Sequence, residues 1–299
     1  MIFRFAHISD LHLPPLPEPG LHQILNKRLL GFLSWHRKRK YCHRREVVAA
    51  LEKDLSERRA DHICITGDIT NLGLAEEFRA ADLWLEKLAK REAVSFVPGN
   101  HDAYVSSSVE AMRQHFERWL PQAYPSACQR DGVLFIGVST AVATPPLLAT
   151  GRLGQVQLTR LESILKEASD SGLFRVLLIH HPPAKGVVQR RKSLTDAAAL
   201  QDLLRERSVD LVLHGHGHRP ACTELESRSG PIPVFGAGSA TLTHDDAERT
   251  GHYHEFELNE SELRITHRRY RPDKERFVTT SEASIPRGVR RGSARSESG

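Results

Sequence analysis

Six short runs of β-branched and aromatic residues recur in the chain, and they constrain its fold more than any other feature. Most of them are almost continuously apolar, which is typical of strands buried on both faces of a sheet. The runs cover residues 2–8, 62–66, 94–97, 133–138, 175–180 and 209–214. Stretches with helical periodicity lie between several of them, at 45–58, 74–90 and 155–168. This alternation predicts a layered α/β domain.

The sequence changes character after residue 218. Short strand-like pieces at 232–235, 252–258 and 263–270 are separated by turn residues, and they predict antiparallel strands added to the same body. Because we find neither an internal repeat nor a linker, we predict a single domain over residues 1–278. Residues 279–299 are small, polar and basic, so we expect a disordered tail there.

Composition excludes several classes of protein. With 299 residues, 39% hydrophobic and 26% charged, the chain is neither fibrous nor wholly disordered. No apolar run approaches the roughly 18 residues of a membrane span, and the start lacks a signal-peptide pattern, so we expect a cytoplasmic protein. The four cysteines form no CxxC pair, which argues against a disulfide scaffold or a zinc-thiolate site. The 17 histidines are unusual, because imidazole is a common metal ligand.

Residues 20–45 form a basic insert after the first predicted strand. The insert contains no acidic residue, and apolar side chains at helical spacing predict an amphipathic helix: Leu21, Leu25, Leu29 and Phe32. Either its apolar stripe packs on the core as in a plain surface helix, or the insert is a lid or membrane contact beside the site. A dimer surface is equally open, so the oligomeric state is not predicted. The net charge of +5 arises from this insert and the Arg-rich C-terminus, and it predicts no specific nucleic acid partner.

Five short polar boxes follow strand-like runs, where open α/β sheets place their ligand sites. The boxes are Asp10-Leu11-His12, Gly67-Asp68, Gly99-Asn100-His101-Asp102, His180-His181-Pro182-Pro183 and Gly215-His216-Gly217-His218. Each box alone is weak evidence for a metal site, but together they supply carboxylate, amide and imidazole ligands without a thiolate. Such ligands suit Mn, Fe, Zn, Mg or Co, and their number suits two ions that share one carboxylate.

In this order the boxes resemble the calcineurin-like metallophosphoesterases, whose pattern is D-x-H, G-D, G-N-H-D/E, H and G-H-x-H. The resemblance covers roughly residues 2–270, and G-N-H-D with H-H-P-P is similar to the class III cyclic nucleotide phosphodiesterase branch. It implies a four-layer αββα sandwich with mixed sheets and a dinuclear centre. One ion would be held by Asp10, His12, Asp68 and His218, and the other by Asp68 as the bridge, Asn100, His180 and His216.

The resemblance also implies roles for the residues around the two ions. His101 would contact the substrate with Asn100 and protonate the leaving group, and Asp102 would orient His101. His181 would support a ligand or contact the substrate. Two ions of Mn, Fe or Zn would lower the pKa of a water between them, so that hydroxide attacks the phosphorus in line. Histidines outside the boxes, including His7, His43 and those near the C-terminus, are expected to be structural, as is His214.

Three interpretations of function stay open. The preferred one is a hydrolase of a small soluble phosphodiester, such as a 3′,5′-cyclic nucleotide. The second resembles the UDP-2,3-diacylglucosamine pyrophosphatases of lipid A synthesis, with an acyl groove lined by Leu29, Leu30, Phe32, Leu33 and Trp35. In that case the basic residues of the insert would meet lipid phosphates, and the protein would lie at the inner membrane surface. The third, a scaffold that has lost catalysis, is disfavoured because no ligand is missing.

Overall fold

The protein is built on twelve β-strands, which the computed structural model shows within the residues that it describes, 2–287. In chain order the strands are β1 (Phe3–Ile8), β2 (His62–Ile65), β3 (Val94–Phe96), β4 (Ser126–Arg130), β5 (Val133–Gly137), β6 (Phe174–Leu178), β7 (Leu211–His214), β8 (Ala221–Leu225), β9 (Ile232–Gly236), β10 (His252–Leu258), β11 (Glu262–Arg271) and β12 (Arg276–Pro286). They form two six-stranded sheets, with the orders β12-β11-β10-β1-β2-β3 and β4-β5-β6-β7-β9-β8. Both sheets are mixed, because the first has antiparallel pairs on the side of β10–β12 and parallel pairs on the side of β2 and β3, and the second has antiparallel strands at both edges.

The α-helices of the same part of the chain cover the outer faces of the two sheets or belong to the insert. They are α1 (Leu21–Ile24), α2 (Arg28–Ser34), α3 (Lys40–Cys42), α4 (Arg45–Arg58), α5 (Ala75–Leu88), α6 (Ser106–Phe116), α7 (Gln155–Glu167) and α8 (Ala197–Glu206), with short 3₁₀ turns at Arg91–Ala93, Glu117–Trp119, Arg190–Lys192 and Ala247–Arg249. Helices α4, α5 and α7 match the three predicted helical stretches. No helix among residues 2–287 has both the length and the apolar character needed to cross a bilayer.

Apolar side chains fill three layers of the molecule. Between the sheets, the Phe5 ring stacks on Phe256 at 4.9 Å and meets the edge of Phe135 at 5.4 Å. The opposite face of the first sheet packs on α4, α5 and α6, and that of the second sheet packs on α7 and α8. Strand β1 shows why its sequence is continuously apolar, since Phe5 faces the other sheet and Ala6 faces the helices. The fold is therefore the four-layer αββα sandwich with mixed sheets that the resemblance implied.

Three strands were not predicted, and all three lie at sheet edges. In β4 and β8, half-buried and exposed residues alternate, so neither strand has an apolar run. Strand β12 overturns the predicted disorder of residues 279–286, which pair with β11 along its length. Backbone hydrogen bonds order an edge strand without apolar side chains on both faces, which is why composition alone misplaced it. The remainder of the predicted tail, 288–299, lies outside the described residues.

The insert is helical, but it is not one amphipathic helix. Helices α1, α2 and α3 are joined by an irregular turn at residues 25–27 and by a π-helical turn at Trp35–Arg39. Most of the apolar stripe does not pack on the core, because Leu21 is 79% exposed and Leu25 81% exposed. Only its last member, Phe32, packs inward against Leu72 and Tyr104. The plain surface helix with a buried stripe is therefore wrong for this segment.

A buried arginine holds the insert against the body of the protein. The Arg28 guanidinium donates hydrogen bonds to the carbonyl oxygens of Leu72 and Gly73 and to the Ser108 hydroxyl, at 2.7–2.9 Å. Three residues along the same helix, Gly31 lies against Leu72 and the Tyr104 hydroxyl, where a larger side chain would collide. These contacts dock α2 beside the loop that follows β2, and the turn after α2 is thereby directed toward the ends of the strands.

A second buried charge joins α4 to the C-terminal strands. The Asp54 carboxylate accepts hydrogen bonds from the Tyr253 hydroxyl at 2.5 Å and from the Arg268 guanidinium at 2.5 and 3.0 Å. Arg268 also donates to the Phe277 carbonyl oxygen and to the Thr279 hydroxyl, so one ion pair connects α4, β10, β11 and β12. Both charged side chains are about nine-tenths buried.

We expect Asp54→Ala to lower the free energy of unfolding by about 3–5 kcal/mol, because it leaves the Arg268 charge buried without a partner. Urea denaturation of the two proteins measures the difference. Glu57→Ala is the matched control on the same helix, since Glu57 is exposed and forms an ion pair with the exposed Lys53 at 3.9 Å, whose loss should cost less than about 1 kcal/mol. Equal losses for the two variants would contradict the role given to this ion pair.

Candidate metal centre

The five polar boxes meet at one edge of the sandwich, where parallel strands of both sheets end. The boxes with Asp10, Asp68 and Asn100 follow β1, β2 and β3 of the first sheet, and those with His180 and His216 follow β6 and β7 of the second. Backbone contacts join the two sheets there. The His216 amide donates to Asp10 Oδ2 at 2.8 Å, and His180 Nδ1 donates to the Thr66 carbonyl oxygen at 2.6 Å.

The backbone is strained at most of the predicted ligands. The φ angle is positive, between 41° and 68°, at five of them: Asp10, His12, Asp68, His216 and His218. Side chains with a Cβ rarely adopt this conformation, and such strain gathers at functional sites where surrounding contacts enforce it. Here the enforcing contacts include the His12 amide, which donates to the Asp68 carbonyl oxygen at 2.9 Å. The strained turns point carboxylate and imidazole groups from separate loops at one another.

The first group of converging side chains consists of Asp10, His12, Asp68 and His218. Their ligand atoms all lie within 4.8 Å of one another. His218 Nε2 is 3.1 Å from Asp10 Oδ1 and 3.3 Å from His12 Nε2, and His12 Nε2 is 4.0 Å from Asp68 Oδ2. These are the four residues that the resemblance implied for one ion.

The second group centres on His180. Its Nε2 atom is 3.2 Å from Asn100 Oδ1, 3.2 Å from His216 Nδ1 and 3.4 Å from Asp68 Oδ2. Because Asp68 Oδ2 faces both His12 and His180, the carboxylate lies between the two groups. The structure thus brings all seven predicted ligands together, with Asp68 in the position of the bridge.

In several candidate ligands, one polar atom of the side chain is held by a hydrogen bond to the protein, and the other polar atom faces the centre. His12 Nδ1 donates to the Thr70 carbonyl oxygen at 2.9 Å, and His180 Nδ1 is fixed in the same way, so both Nε2 atoms point inward, where each can bind a cation in place of a proton. Among the carboxylates, Asp68 Oδ1 accepts from the His101 amide at 2.7 Å, and Oδ2 faces the imidazoles. Oriented ligands of this kind are typical of metal sites, so these residues fit a dinuclear cation centre.

Glycines let the strand ends approach closely enough for these contacts. A Cβ on Gly99 would collide with Asp68 Oδ1 and would lie 2.7 Å from the His180 ring. On Gly215 it would collide with the Ser9 hydroxyl and lie 2.7 Å from Asp10 Oδ2. The boxes therefore require glycine at these two positions for steric reasons.

The charges within the centre offset the effect of burial on the bridge. Burial alone would raise the pKa of Asp68, but the charge and the hydrogen bond of His180 oppose it, and the pKa is lowered well below its usual range. Burial likewise lowers the pKa of His180, and the Asp68 carboxylate outweighs that effect and raises the pKa to about 9. Burial lowers the pKa of His12 and of His216, which keeps both rings neutral and able to bind a cation.

His101 does not have the geometry of a proton donor. Its Nδ1 atom lies 2.5 Å from the Asn71 carbonyl oxygen and therefore carries the ring hydrogen, while its Nε2 atom accepts from the Arg39 guanidinium at 3.3 Å. Burial, and then the charge of Arg39, lower the pKa of His101 to about 3. The expectation of a protonated general acid is not supported, because this ring is neutral and its outward nitrogen is an acceptor.

The role predicted for Asp102 is corrected by its contacts. Its carboxylate does not bind the His101 ring but accepts hydrogen bonds from the amides of Asp68, Gly99 and Thr70 and from the Thr70 hydroxyl, at 2.8–3.0 Å. Burial, and then the charge of Asp68, raise the pKa of Asp102 to about 7 against these hydrogen bonds. Asp102 is thus a positioning residue that joins the loops after β2 and β3, and it orients the bridging carboxylate rather than His101.

His181 likewise differs from its predicted substrate contact. The side chain is fully buried, its Nδ1 atom is 2.7 Å from the Thr140 hydroxyl, and its Nε2 atom is 3.2 Å from the Ala149 carbonyl oxygen. Its ring lies 4.3 Å from the His216 ring, between centroids. Since both nitrogens have protein partners, His181 packs behind a ligand and has no free atom for a substrate.

Sequence reasoning did not single out Arg39 for the site. The π-helical turn of the insert places its guanidinium 3.4 Å from His12 Nε2 and 3.3 Å from His101 Nε2. A basic run from Arg37 to Lys40 was visible in the sequence, but nothing there indicated which of its four residues turns inward. The widened turn shifts the helical register by one residue, as π-turns at functional sites do.

Comparisons with known proteins identify the family of the chain. The sequence profile of a family described as calcineurin-like phosphoesterase matches residues 3–220. Two curated proteins named probable cyclic nucleotide phosphodiesterase are similar to the chain. The one from Synechococcus sp. strain WH7803 is 27% identical over 194 residues, 58% of this chain and 67% of that protein. The one from Synechococcus sp. strain ATCC 27144 is 24% identical over 275 residues, 86% of this chain and 88% of that protein.

A solved structure has a similar fold. A dimetal phosphatase from Danio rerio superimposes with a TM-score of 0.55 over 95% of this chain and 98% of that chain, at 15% identity. At this identity the likeness concerns the fold alone.

We expect Asp102→Ala to lower both metal content and the free energy of unfolding, because four donors that hold the bridging loop lose their acceptor. The loss of stability should be about 2–5 kcal/mol. Elemental analysis after loading with Mn²⁺ and urea denaturation measure the two effects. His101→Ala is the comparison, since it removes a side chain outside the ligand set and should keep the metal content. If Asp102→Ala bound metal normally and only lost activity, Asp102 would be a catalytic residue after all.

Proposed function

The chain belongs to the calcineurin-like phosphoesterase family and is a hydrolase of phosphate esters, and from this premise we propose that it cleaves a small soluble phosphodiester such as a 3′,5′-cyclic nucleotide. The observation that carries the proposal is the Asp68 carboxylate between two groups of converging ligands. The names of the two Synechococcus relatives support the substrate class. The mixture of carboxylate, amide and imidazole ligands supports Mn, Fe or Zn as the metal.

Two bound cations would supply Lewis acidity toward a phosphoryl group and a nucleophilic water at neutral pH. The seven ligands fix where that charge lies, and Asp102 holds their loop rigid. Asn100 presents its amide toward the same space, where its N–H group can bind a phosphoryl oxygen. Arg39 adds a second positive group from the insert, and its planar guanidinium suits the paired oxygens of a phosphate.

In this proposal Arg39 binds a non-bridging phosphoryl oxygen of the substrate. Its guanidinium already faces the centre, beside His12 and His101. Charge that develops on the phosphoryl oxygens in the transition state would strengthen this contact. His101 takes a different part from the predicted one, since its Nε2 atom accepts from Arg39 and can orient the guanidinium.

A second candidate function follows from the exposed apolar side chains of the insert. Leu21 and Leu25 are almost fully exposed, Leu30 is 48% exposed, and Leu147 of a neighbouring loop is 76% exposed. The Lys27 ammonium joins that loop to the insert through the Leu148 carbonyl oxygen at 3.1 Å. Apolar side chains beside a phosphate site favour a lipid-linked pyrophosphate, of the UDP-2,3-diacylglucosamine kind, at a membrane surface.

The deciding experiment compares the two substrates on the purified full chain loaded with Mn²⁺. We expect hydrolysis of cyclic AMP and little hydrolysis of UDP-2,3-diacylglucosamine in detergent micelles, measured as product per minute. Asp68→Asn is the blank, because loss of the bridging charge should remove both metal content and turnover. Hydrolysis of the lipid alone would establish the second candidate, and turnover by Asp68→Asn equal to wild type would contradict the proposed centre.

We expect Arg39→Ala to lower kcat/KM for the preferred substrate about 10–100-fold, because a charged hydrogen bond to phosphate contributes about 1.5–3 kcal/mol. Arg39→Lys should recover only part of the loss, since an ammonium group cannot make paired contacts. The matched control is Arg37→Ala, which changes an exposed arginine of the same π-turn and should leave kcat/KM unchanged. Equal effects of the two alanine variants would show that the insert acts through its overall charge.

A further inference from the structure

A second cluster of histidines lies between the two sheets, on strands that carry none of the ligands described above. His252 and His254 alternate along β10 and therefore face the same side, and His267 of β11 pairs directly with His254 in register. The Phe235 ring of β9 in the other sheet lies 5.6 Å from the His254 ring, which places the cluster in the interior layer. The ligand atoms of the three histidines lie within 4.8 Å of one another.

The contacts within the protein do not account for these buried nitrogens. His252 and His254 are each only 1% exposed. Among residues 2–287, neither nitrogen of His254 has a hydrogen-bond partner, and His252 Nδ1 has none either. Leaving a buried polar atom without a partner costs about 1–3 kcal/mol, so several such atoms at one place indicate a missing ligand.

We propose that His252, His254 and His267 bind one transition-metal ion of the Zn²⁺ class, separate from the candidate dinuclear centre. Three imidazoles without a carboxylate suit Zn²⁺, Cu²⁺ or Ni²⁺ and disfavour the hard cations Mg²⁺ and Ca²⁺. In tetrahedral coordination with Zn–N bonds of about 2.0–2.1 Å, the nitrogens lie roughly 3.4 Å apart. Small rotations of the side chains therefore suffice to bring the three nitrogens onto one ion.

The surroundings keep the three rings in the form that binds metal. Burial lowers the pKa of His252 to about 3 and lowers that of His254 well below its usual value, so both are neutral at pH 7. Burial, followed by the charge of Arg269, also lowers the pKa of His267. Arg269 lies opposite His252 in register and opposes a cation, so the site should be weaker than one with a carboxylate.

The cluster is connected to the candidate centre without sharing a ligand. The His252 amide donates to the Ser239 carbonyl oxygen at 3.3 Å, and the Ser239 hydroxyl donates to the Asp10 carbonyl oxygen at 2.6 Å. An ion held by β10 and β11 would therefore brace the layer behind Asp10. Its binding to the folded state alone would raise the stability of the protein.

The test measures bound Zn²⁺ per chain in the full-length protein by elemental analysis, in an Asp68→Asn background that weakens the dinuclear centre. Adding His267→Gln should remove one Zn²⁺ per chain and abolish the rise in melting temperature that Zn²⁺ causes. His267 is chosen because it is only half-buried, so its replacement disturbs the interior least. Mg²⁺ at the same concentration should give no rise that depends on His267.

The matched control is His115→Gln, which replaces a half-buried histidine outside both clusters. It should keep the Zn²⁺ content and the thermal shift, and circular dichroism should show all variants folded. A Zn²⁺ content that His267→Gln leaves unchanged would overturn the proposal. So would a loss that His115→Gln produces equally. Because the comparison is between two variants in one background, it does not depend on what the dinuclear centre hydrolyses.

Discussion

The arrangement of the candidate centre depends on the contacts of the Asp68 carboxylate. One oxygen accepts from the His101 amide and the other faces His12 and His180, so the two groups of ligands share a single negative charge. A buried carboxylate is costly unless positive or polar groups surround it. The fold meets this condition by bringing the ends of parallel strands from both sheets to one edge. Asp102 completes the arrangement, because it fixes the backbone of Asp68 from the opposite side.

The sequence was sufficient to predict that the seven candidate ligands converge, because each follows an apolar strand and has a side chain of a metal-binding type. The sequence itself provides both the position of each residue after a strand and its residue type. The roles of Asp102 and His181 depend on the groups that their side chains reach, which are amides and carbonyl oxygens of other loops. Backbone atoms carry no sequence signal, so residue type alone suggested that Asp102 acts on the neighbouring His101. The order of the motifs therefore indicated which residues gather, and only the fold indicated what each one contacts.

The insert shows where periodicity is a poor guide to packing. Leucines at helical spacing predicted a buried stripe, but α2 is docked by Arg28, whose guanidinium has three acceptors in the interior, and by the packing of Gly31 and Phe32. An ion with satisfied hydrogen bonds can direct a helix as firmly as an apolar face, and the leucines then remain exposed. The edge strand β12 illustrates the same limit, since its order comes from pairing with β11. In both segments, polar and backbone contacts decide the structure.

Histidines gather in two environments with different chemistry. At the strand ends, imidazoles are combined with carboxylates, which compensate the charge of cations and accept hard as well as borderline ions. Between the sheets, His252 and His254 lie beside other imidazoles, and the charge of Arg269 opposite His252 opposes a cation. A cation between the sheets would be bound by imidazole nitrogens alone, without a carboxylate to compensate its charge. Ligand type would therefore separate the ions that occupy the two places, even though Ser239 and the pairing of β10 with β1 connect them.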